Sequence, residues 1–190
     1  LPLIGSFQIS NALCALGIVL ATGVDAVAAV SGLANLTGVR GRMELAGRHK
    51  NGAGVYVDYA HTPDALRAAL MALRPHTDGE LHLVFGCGGD RDRGKRREMG
   101  AIAQKLADRV IVTDDNPRSE DPAEIRQDVL SACPGGHDVA DRREAIMLAV
   151  SDLVTGDLLV VAGKGHEQVQ TVGDRSVPFD DVSACRSALE

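Results

Sequence analysis

Four short loops hold most of the side chains able to do chemistry in this 190-residue chain: "DYAHTPD" (58–64), "GCGGDRDRGKRRE" (86–98), "TDDNPRSED" (113–121) and "AGKGHEQ" (162–168). The second combines four glycines, whose backbone N–H groups a ligand can approach closely, with Arg91, Arg93, Lys95, Arg96 and Arg97 at the start of a helical pattern. That combination predicts an anion site. Gly89–Lys95 also imitates the G-x-x-x-x-G-K phosphate loop, but Arg96 stands where a Ser or Thr would hold Mg²⁺. The plainer alternative is a solvated loop in which Asp90 and Asp92 pair with the arginines.

In the third loop Pro117 fixes its own φ and biases Asn116 toward an extended conformation, so Asn116 and Arg118 are displayed from a stiffened turn. An arginine held that way suits a bidentate grip on a carboxylate or phosphate. The alternative is a turn in which Arg118 pairs with Asp114, Asp115 or Glu120. In the fourth loop Gly163 and Gly165 flank Lys164, which suggests a small anion nest, while Glu167 has the charge to meet an ammonium; a tight turn with exposed charges is the competing reading. In the first loop Asp58, Tyr59 and His61 stand at a strand end, where a ring and an imidazole could flank a nucleotide base or ribose, or where Thr62 simply caps a helix and His61 satisfies nearby backbone.

Each loop directly follows a short Val- or Leu-rich run: "AGVYVD", "LHLVFG", "RVIVT" and "DLLVVAG". Such runs suit strands buried on both faces. Between them lie helical patterns: "TPDALRAALMAL" and "DPAEIRQDVL", each with a capping residue before a proline, and "REMGAIAQKLA" and "REAIMLAVSDL", each with one apolar face. "DDVSACRSALE" predicts a last helix. "EQVQTVGDRSVPFDD" predicts a hairpin turning at Gly173-Asp174 that adds antiparallel strands to the sheet. The fold class expected is therefore α/β and Rossmann-like: a mostly parallel sheet with helices on both faces and an antiparallel edge hairpin, preceded by a short helical segment. Ligands of such sheets bind beyond the carboxyl ends of the strands, so the four loops should converge on one site.

Composition narrows the partners. The net charge of −6 provides no overall basic field for nucleic acid or an anionic membrane, so any anion must be bound locally. Cys14, Cys87, Cys133 and Cys185 are scattered without a C-x-x-C pair, which argues against a zinc site or a disulfide framework and fits a cytoplasmic protein. Residues 1–39 contain one charged side chain, Asp25, and every other charge lies from Arg40 onward. We read this as a boundary, with 1–39 the end of one domain and 40–190 a second. "ALCALGIVLA" (12–21) is too short to span a membrane and reads as a buried helix.

"GRMEL", "VDYAHTPDAL", "VFGCGGDRDRGKR", "TDDNPRSEDP" and "VVAGKGHE", in this order, resemble the carboxy-terminal domain of the Mur ligases, and in particular those that add meso-diaminopimelate to UDP-N-acetylmuramoyl-L-alanyl-D-glutamate in peptidoglycan synthesis. The resemblance covers nearly the whole chain. It implies a ligase that uses ATP and Mg²⁺ to form an acyl phosphate, which the incoming amine attacks. It also implies that Arg91, Asn116, Arg118, Gly163 and Glu167 hold diaminopimelate, with Arg118 meeting the distal carboxylate that lysine lacks. Arg42, Asp58, Tyr59 and His61 would close over ATP, and Gln8 and Asn11 of "GSFQISNALCAL" would lie near adenine, although Gln8 replaces the commoner Asn.

No G-x-x-x-x-G-K-[ST] loop occurs, so the resemblance makes the chain a fragment, inactive alone, of a monomeric three-domain enzyme. The Mg²⁺ ligands and the uridine-nucleotide site would belong to the other domains. The lobe is expected to swing toward the central domain about Gly38–Gly41, excluding water from the acyl phosphate. Two other readings stand beside it: a stand-alone anion-binding module, and a related ligase that adds a different amino acid.

Overall fold

The computed structural model describes residues 3–190. Two helices come first, α1 (Phe7–Ala21) and α2 (Ala26–Gly32), followed by an alternating body: β1 (Glu44–Arg48), β2 (Gly54–Asp58), α3 (Pro63–Leu73), β3 (Leu81–Phe85), α4 (Gly94–Leu106), β4 (Arg109–Val112), α5 (Pro122–Leu130), β5 (His137–Asp138), α6 (Arg142–Ser151) and β6 (Leu158–Ala162). Strands β7 (Val169–Val172) and β8 (Arg175–Pro178) and helix α7 (Asp181–Leu189) complete the chain.

The helix starts follow the capping chemistry in the sequence. Thr62 accepts from the N–H of Ala65 at the start of α3, Asp121 from Ala123 at α5, Asp141 from Glu144 at α6 and Asp180 from Ser183 at α7. Pro63 and Pro122 occupy first-turn positions, where a missing N–H costs nothing.

The main sheet has the order β1-β2-β6-β3-β4-β5. β2, β6, β3, β4 and β5 run parallel, and β1 pairs antiparallel with β2. Side chains alternate between faces as the pleat requires. Leu81, Leu83, Phe85, Leu158, Val160 and Ala162 pack toward α3, α4 and α5, whereas Val84, Val55, Val57, Leu159 and Val161 pack toward α6 and α7. The sheet is therefore covered on both faces, as expected.

Two expectations change. The hairpin forms its own two-stranded sheet, β7-β8, and the antiparallel edge of the main sheet is β1 instead. All four residues of β8 are exposed and neither strand of the pair has a buried position, so nothing draws the hairpin into a sheet edge; it is tied to the loop after β4, where Arg118 bridges Val172 and Thr171 bonds to Asn116 and Arg118. The helix read as buried is exposed: Ala12 is the only buried residue among the described residues 3–39, and Ile9, Leu13 and Ile18 stand 55%, 61% and 67% exposed. Residues 12–21 are apolar all round, a pattern that signals burial but selects no stripe to face the rest of this chain.

The chain is moored to the αβ body from Arg40 onward. Arg40 Nη2 donates to Asp180 Oδ2 at 2.6 Å, and Gly41, at φ +66°, lies so close to the backbone of Gly165 and His166 that a Cβ would collide with it. Gly38, by contrast, has no such neighbour. Among the described residues no helix is long and apolar enough to cross a membrane.

Candidate functional site

β6 lies between β2 and β3, with β4 beyond, so the loops that leave the carboxyl ends of these four strands are neighbours. They enclose a hollow of about 440 Å³ lined by Tyr59 and His61 from the first loop, Arg91 and Lys95 from the second, Asp115, Asn116 and Arg118 from the third, and Gly163 and Glu167 from the fourth. Four segments distant in sequence thus share one rim.

The loops after β3 and β4 are locked to each other. Gly89 N–H donates to Asn116 O at 2.9 Å, and a Cβ on Gly89 would run into Pro117 O. Asp90 accepts from the N–H and hydroxyl of Ser119, while Asp90 N–H donates to Glu120 at 2.6 Å. These bonds hold the carboxyls of Asp90 and Glu120 below their ordinary range. Both Asp90 and Arg118 adopt positive φ, 52° each, which side-chain-bearing residues adopt at a cost.

Arg118 pairs with none of Asp114, Asp115 and Glu120. Its Nη1 donates to the carbonyls of Gly89, at 2.8 Å, and Asn116, at 3.3 Å. Its backbone is clamped by the β7-β8 hairpin: Arg118 N–H donates to Thr171 O at 3.1 Å, and Gly173 N–H to Arg118 O at 2.7 Å. Rigidity therefore comes from the hairpin as well as from Pro117. Asp114 pairs with Arg126, and Glu120 with Arg93 and Arg96.

Of the five cations in the second loop, only Arg91 and Lys95 face the hollow. Arg96, which occupies the hydroxyl position of the imitated phosphate loop, is buried and reaches Glu120 and Asp128 at 2.9 Å each. It is a strut between α4 and α5. Arg91 Nη1 rests on Asp90 O, and Lys95 Nζ on His61 O at 3.0 Å.

Two carboxylates, Asp115 and Glu167, also line the hollow. Glu167 accepts through Oε2 from Asn116 Nδ2 at 2.8 Å and from Lys164 Nζ at 3.2 Å. Lys164 is fully buried, so the expected anion nest around it is absent: its ammonium is spent on Asn116 Oδ1 and Glu167. Gly163, at φ +116°, sits where a Cβ would press on Asp115 Oδ2. Asp115 is buried and makes no hydrogen bond with a described residue; burial pushes its carboxyl up, partly offset by Arg142 and Lys164. The sequence reading missed Asp115 and the buried role of Lys164, for which the only signal was their place in two of the four loops.

A second hollow, of about 510 Å³, opens between α1 and α3. Gln8, Asn11, Arg42 and Asp58 line it over an apolar floor that includes Phe7, Met43, Ala65 and Ala69. Asn11 donates to Gln8 at 3.1 Å. Burial raises the carboxyl of Asp58, opposed by the N–H groups of Met43 and Ala60 and by Arg42. Tyr59 and His61, grouped with these four in the sequence reading, open instead on the first hollow. Arg42 lies over the Tyr59 ring, 4.5 Å from its centroid, and so forms the partition between the two spaces.

Comparison with known proteins identifies the family. Residues 41–165 match the family described as "Mur ligase, glutamate ligase domain". The chain is 57% identical over 193 residues to a Zymomonas mobilis protein named UDP-N-acetylmuramoyl-L-alanyl-D-glutamate--2,6-diaminopimelate ligase, covering 100% of this chain and 40% of that protein. A Rhizobium meliloti protein of the same name is 57% identical over 188 residues, covering 99% and 39%. A solved structure bearing that name matches with a TM-score of 0.78 at 43% identity, over 99% of this chain and 39% of its own. Mycobacterium tuberculosis folylpolyglutamate synthase, solved with ADP and AMPPCP, matches with a TM-score of 0.68 at 26% identity, over 86% of this chain and 38% of its own. This chain therefore spans about two fifths of the length of the curated relatives it matches. With more than half of its residues in the matched region, the chain belongs to the Mur ligase family.

Proposed function

We propose that this chain is the amino-acid-binding and nucleotide-closing lobe of an ATP-dependent ligase that adds meso-diaminopimelate to UDP-N-acetylmuramoyl-L-alanyl-D-glutamate. The observation that carries the reading is the mixture of charge within one hollow. Arg91, Lys95 and Arg118 line it together with Asp115 and Glu167, so that both signs of charge are present for a molecule with two carboxylates and two ammonium groups. Similarity to the two ligases named above points to the same substrate.

Within this reading Arg91 and Arg118 meet carboxylates, Glu167 meets an ammonium, and Gly163 gives the substrate close access to backbone. Asn116 has its carbonyl oxygen occupied by Lys164 and Thr171 N–H and directs its amide toward Glu167, so it acts chiefly by orienting that carboxylate. The second hollow, with two amides over an apolar floor, suits a flat purine, and Arg42 reaches from it to Tyr59. Residues 1–39 would belong to a neighbouring domain and 40–190 to this lobe, with freedom between them at Gly38 and Val39, ahead of the Arg40 mooring. Closure about that point would bring the held amine to an activated carboxylate and exclude water.

Mg²⁺ is commonly held by one or two carboxylates together with the phosphates of its nucleotide, and no residue of this chain is assigned to it. Its ligands, and the uridine-nucleotide site, are assigned to parts of the ligase outside this chain. The whole enzyme is taken to act as a cytoplasmic monomer.

The test is turnover by the ligase of full relative length carrying these residues. Phosphate release from ATP should depend on both the UDP-linked dipeptide and diaminopimelate, with lysine a poor replacement. Release that ignores diaminopimelate, or that lysine supports equally, would refute the proposal.

A further inference from the structure

We propose that Lys164 is a positioning residue for amino-acid recognition, holding one oxygen of Glu167 so that the other is presented to the hollow. The inference rests on the function proposed above and deepens it. Lys164 cannot touch a ligand itself, because its side chain has no exposed surface. A buried ammonium is costly unless its protons are satisfied and its charge is opposed. Here Nζ reaches Asn116 Oδ1 at 3.0 Å and Glu167 Oε2 at 3.2 Å.

The three side chains form a closed triangle. Asn116 Nδ2 donates to the same Oε2 at 2.8 Å, while Asn116 Oδ1 also accepts Thr171 N–H at 2.9 Å from the hairpin. Its three partners, Lys164, Thr171 and Glu167, fix the amide orientation of Asn116 without ambiguity. Glu167 Oε2 thus carries two bonds, and Oε1 carries none with any described residue, although the Glu167 side chain keeps 31% of its surface open and lines the hollow. One oxygen is anchored and one is offered.

The arrangement also explains why a lysine is buried at the turn of the fourth loop. Without the ammonium, Glu167 Oε2 and Asn116 Oδ1 each lose a partner, and the carboxylate is left on a single bond from Asn116. Lys164 therefore acts through Glu167, and it links that carboxylate to the same hairpin that clamps Arg118. Arg118 and Glu167, of opposite charge, are in this way both set by one small sheet.

The experiment uses the full-length ligase. Lys164→Met should raise the KM for diaminopimelate about 10- to 100-fold, the loss expected for a charge-assisted hydrogen-bond network, while the KM for ATP and kcat at saturation stay within about twofold. In a Glu167→Gln background the same substitution should add nothing further, because the residue it positions is already changed. Should Lys164→Met alone fail to fold, the double variant, with both charges removed, carries the test: its KM for diaminopimelate should equal that of Glu167→Gln alone. An unmoved KM in Lys164→Met, an equal rise in the KM for ATP, or multiplied effects in the double variant would overturn the inference. Turnover that ignores diaminopimelate in the wild-type ligase would overturn both this inference and the function it rests on, whereas any of those variant results alongside diaminopimelate-dependent turnover overturns this one alone.

Discussion

Replacing Arg118 separates its backbone cost from its binding role. At φ 52° a residue with a Cβ is strained by about 1–2 kcal/mol relative to the ordinary helical region. The side chain offsets this through Nη1 bonds to Gly89 O and Asn116 O, each worth about 1 kcal/mol net. Arg118→Ala keeps the strain and loses both bonds, so it should lower unfolding stability by about 1–2 kcal/mol. Arg118→Gly loses the same bonds but relieves the strain, at a smaller cost in unfolded-chain entropy, and should lie about 1 kcal/mol above the alanine variant. Both should lose the charge-assisted grip on a carboxylate, raising the KM for diaminopimelate in the full-length ligase by about 10- to 100-fold. Urea unfolding of the chain and steady-state kinetics of the ligase read the two effects independently. Equal stability of the alanine and glycine variants would refute the strain argument. A wild-type KM in either variant, or an unchanged preference over lysine, would refute the role in recognition.

Gly89→Ala forces a Cβ against Pro117 O, so the loops after β3 and β4 must part; stability should fall by about 1–3 kcal/mol in urea, and diaminopimelate affinity by calorimetry should fall with it while nucleotide affinity holds. Asp115 gives a pH dependence of known sign. Its carboxyl, with an ordinary value of 3.8, is raised in the fold by burial, so its ionisation opposes folding, and stability is lost as pH climbs above 3.8 through the folded value. Asp115→Asn removes that penalty. Relative to wild type, the variant should gain thermal stability at pH 7 compared with pH 4; a gain no larger at pH 7 would show that Arg142 and Lys164 already compensate the buried charge in full.

The elements that position the site were readable because their signals are local. Thr62-Pro63 and Asp121-Pro122 announce helix starts through bonds that span two or three residues, and the runs ending at Asp58, Phe85, Val112 and Ala162 are apolar enough to be strands covered on both faces. Strands β1 and β5 were not legible. β1 is an edge strand interrupted by a register shift, and β5 is two exposed residues, so neither carries the apolar run that marked the others. The convergence of four loops followed from parallel topology alone, before any side chain was placed.

Side-chain direction was another matter. In the sequence Arg91, Arg93, Lys95 and Arg96 are equivalent cations, yet Arg96 is buried and Arg91 lines the hollow, because Glu120 and Asp128 arrive beside Arg96 from 24 and 32 residues away. Lys164 reads as an exposed nest residue until folding brings Asn116, 48 positions distant, to its ammonium. Tyr59 and Asp58 are adjacent in sequence and open on different hollows, since successive residues at a strand end point to opposite sides. Local pattern determined which segments form the rim and which kinds of charge they bring to it. Only the packed structure decided which charges are spent inside the protein and which are left for a ligand, because the free energy of burying a charge depends on partners that the chain supplies from far away.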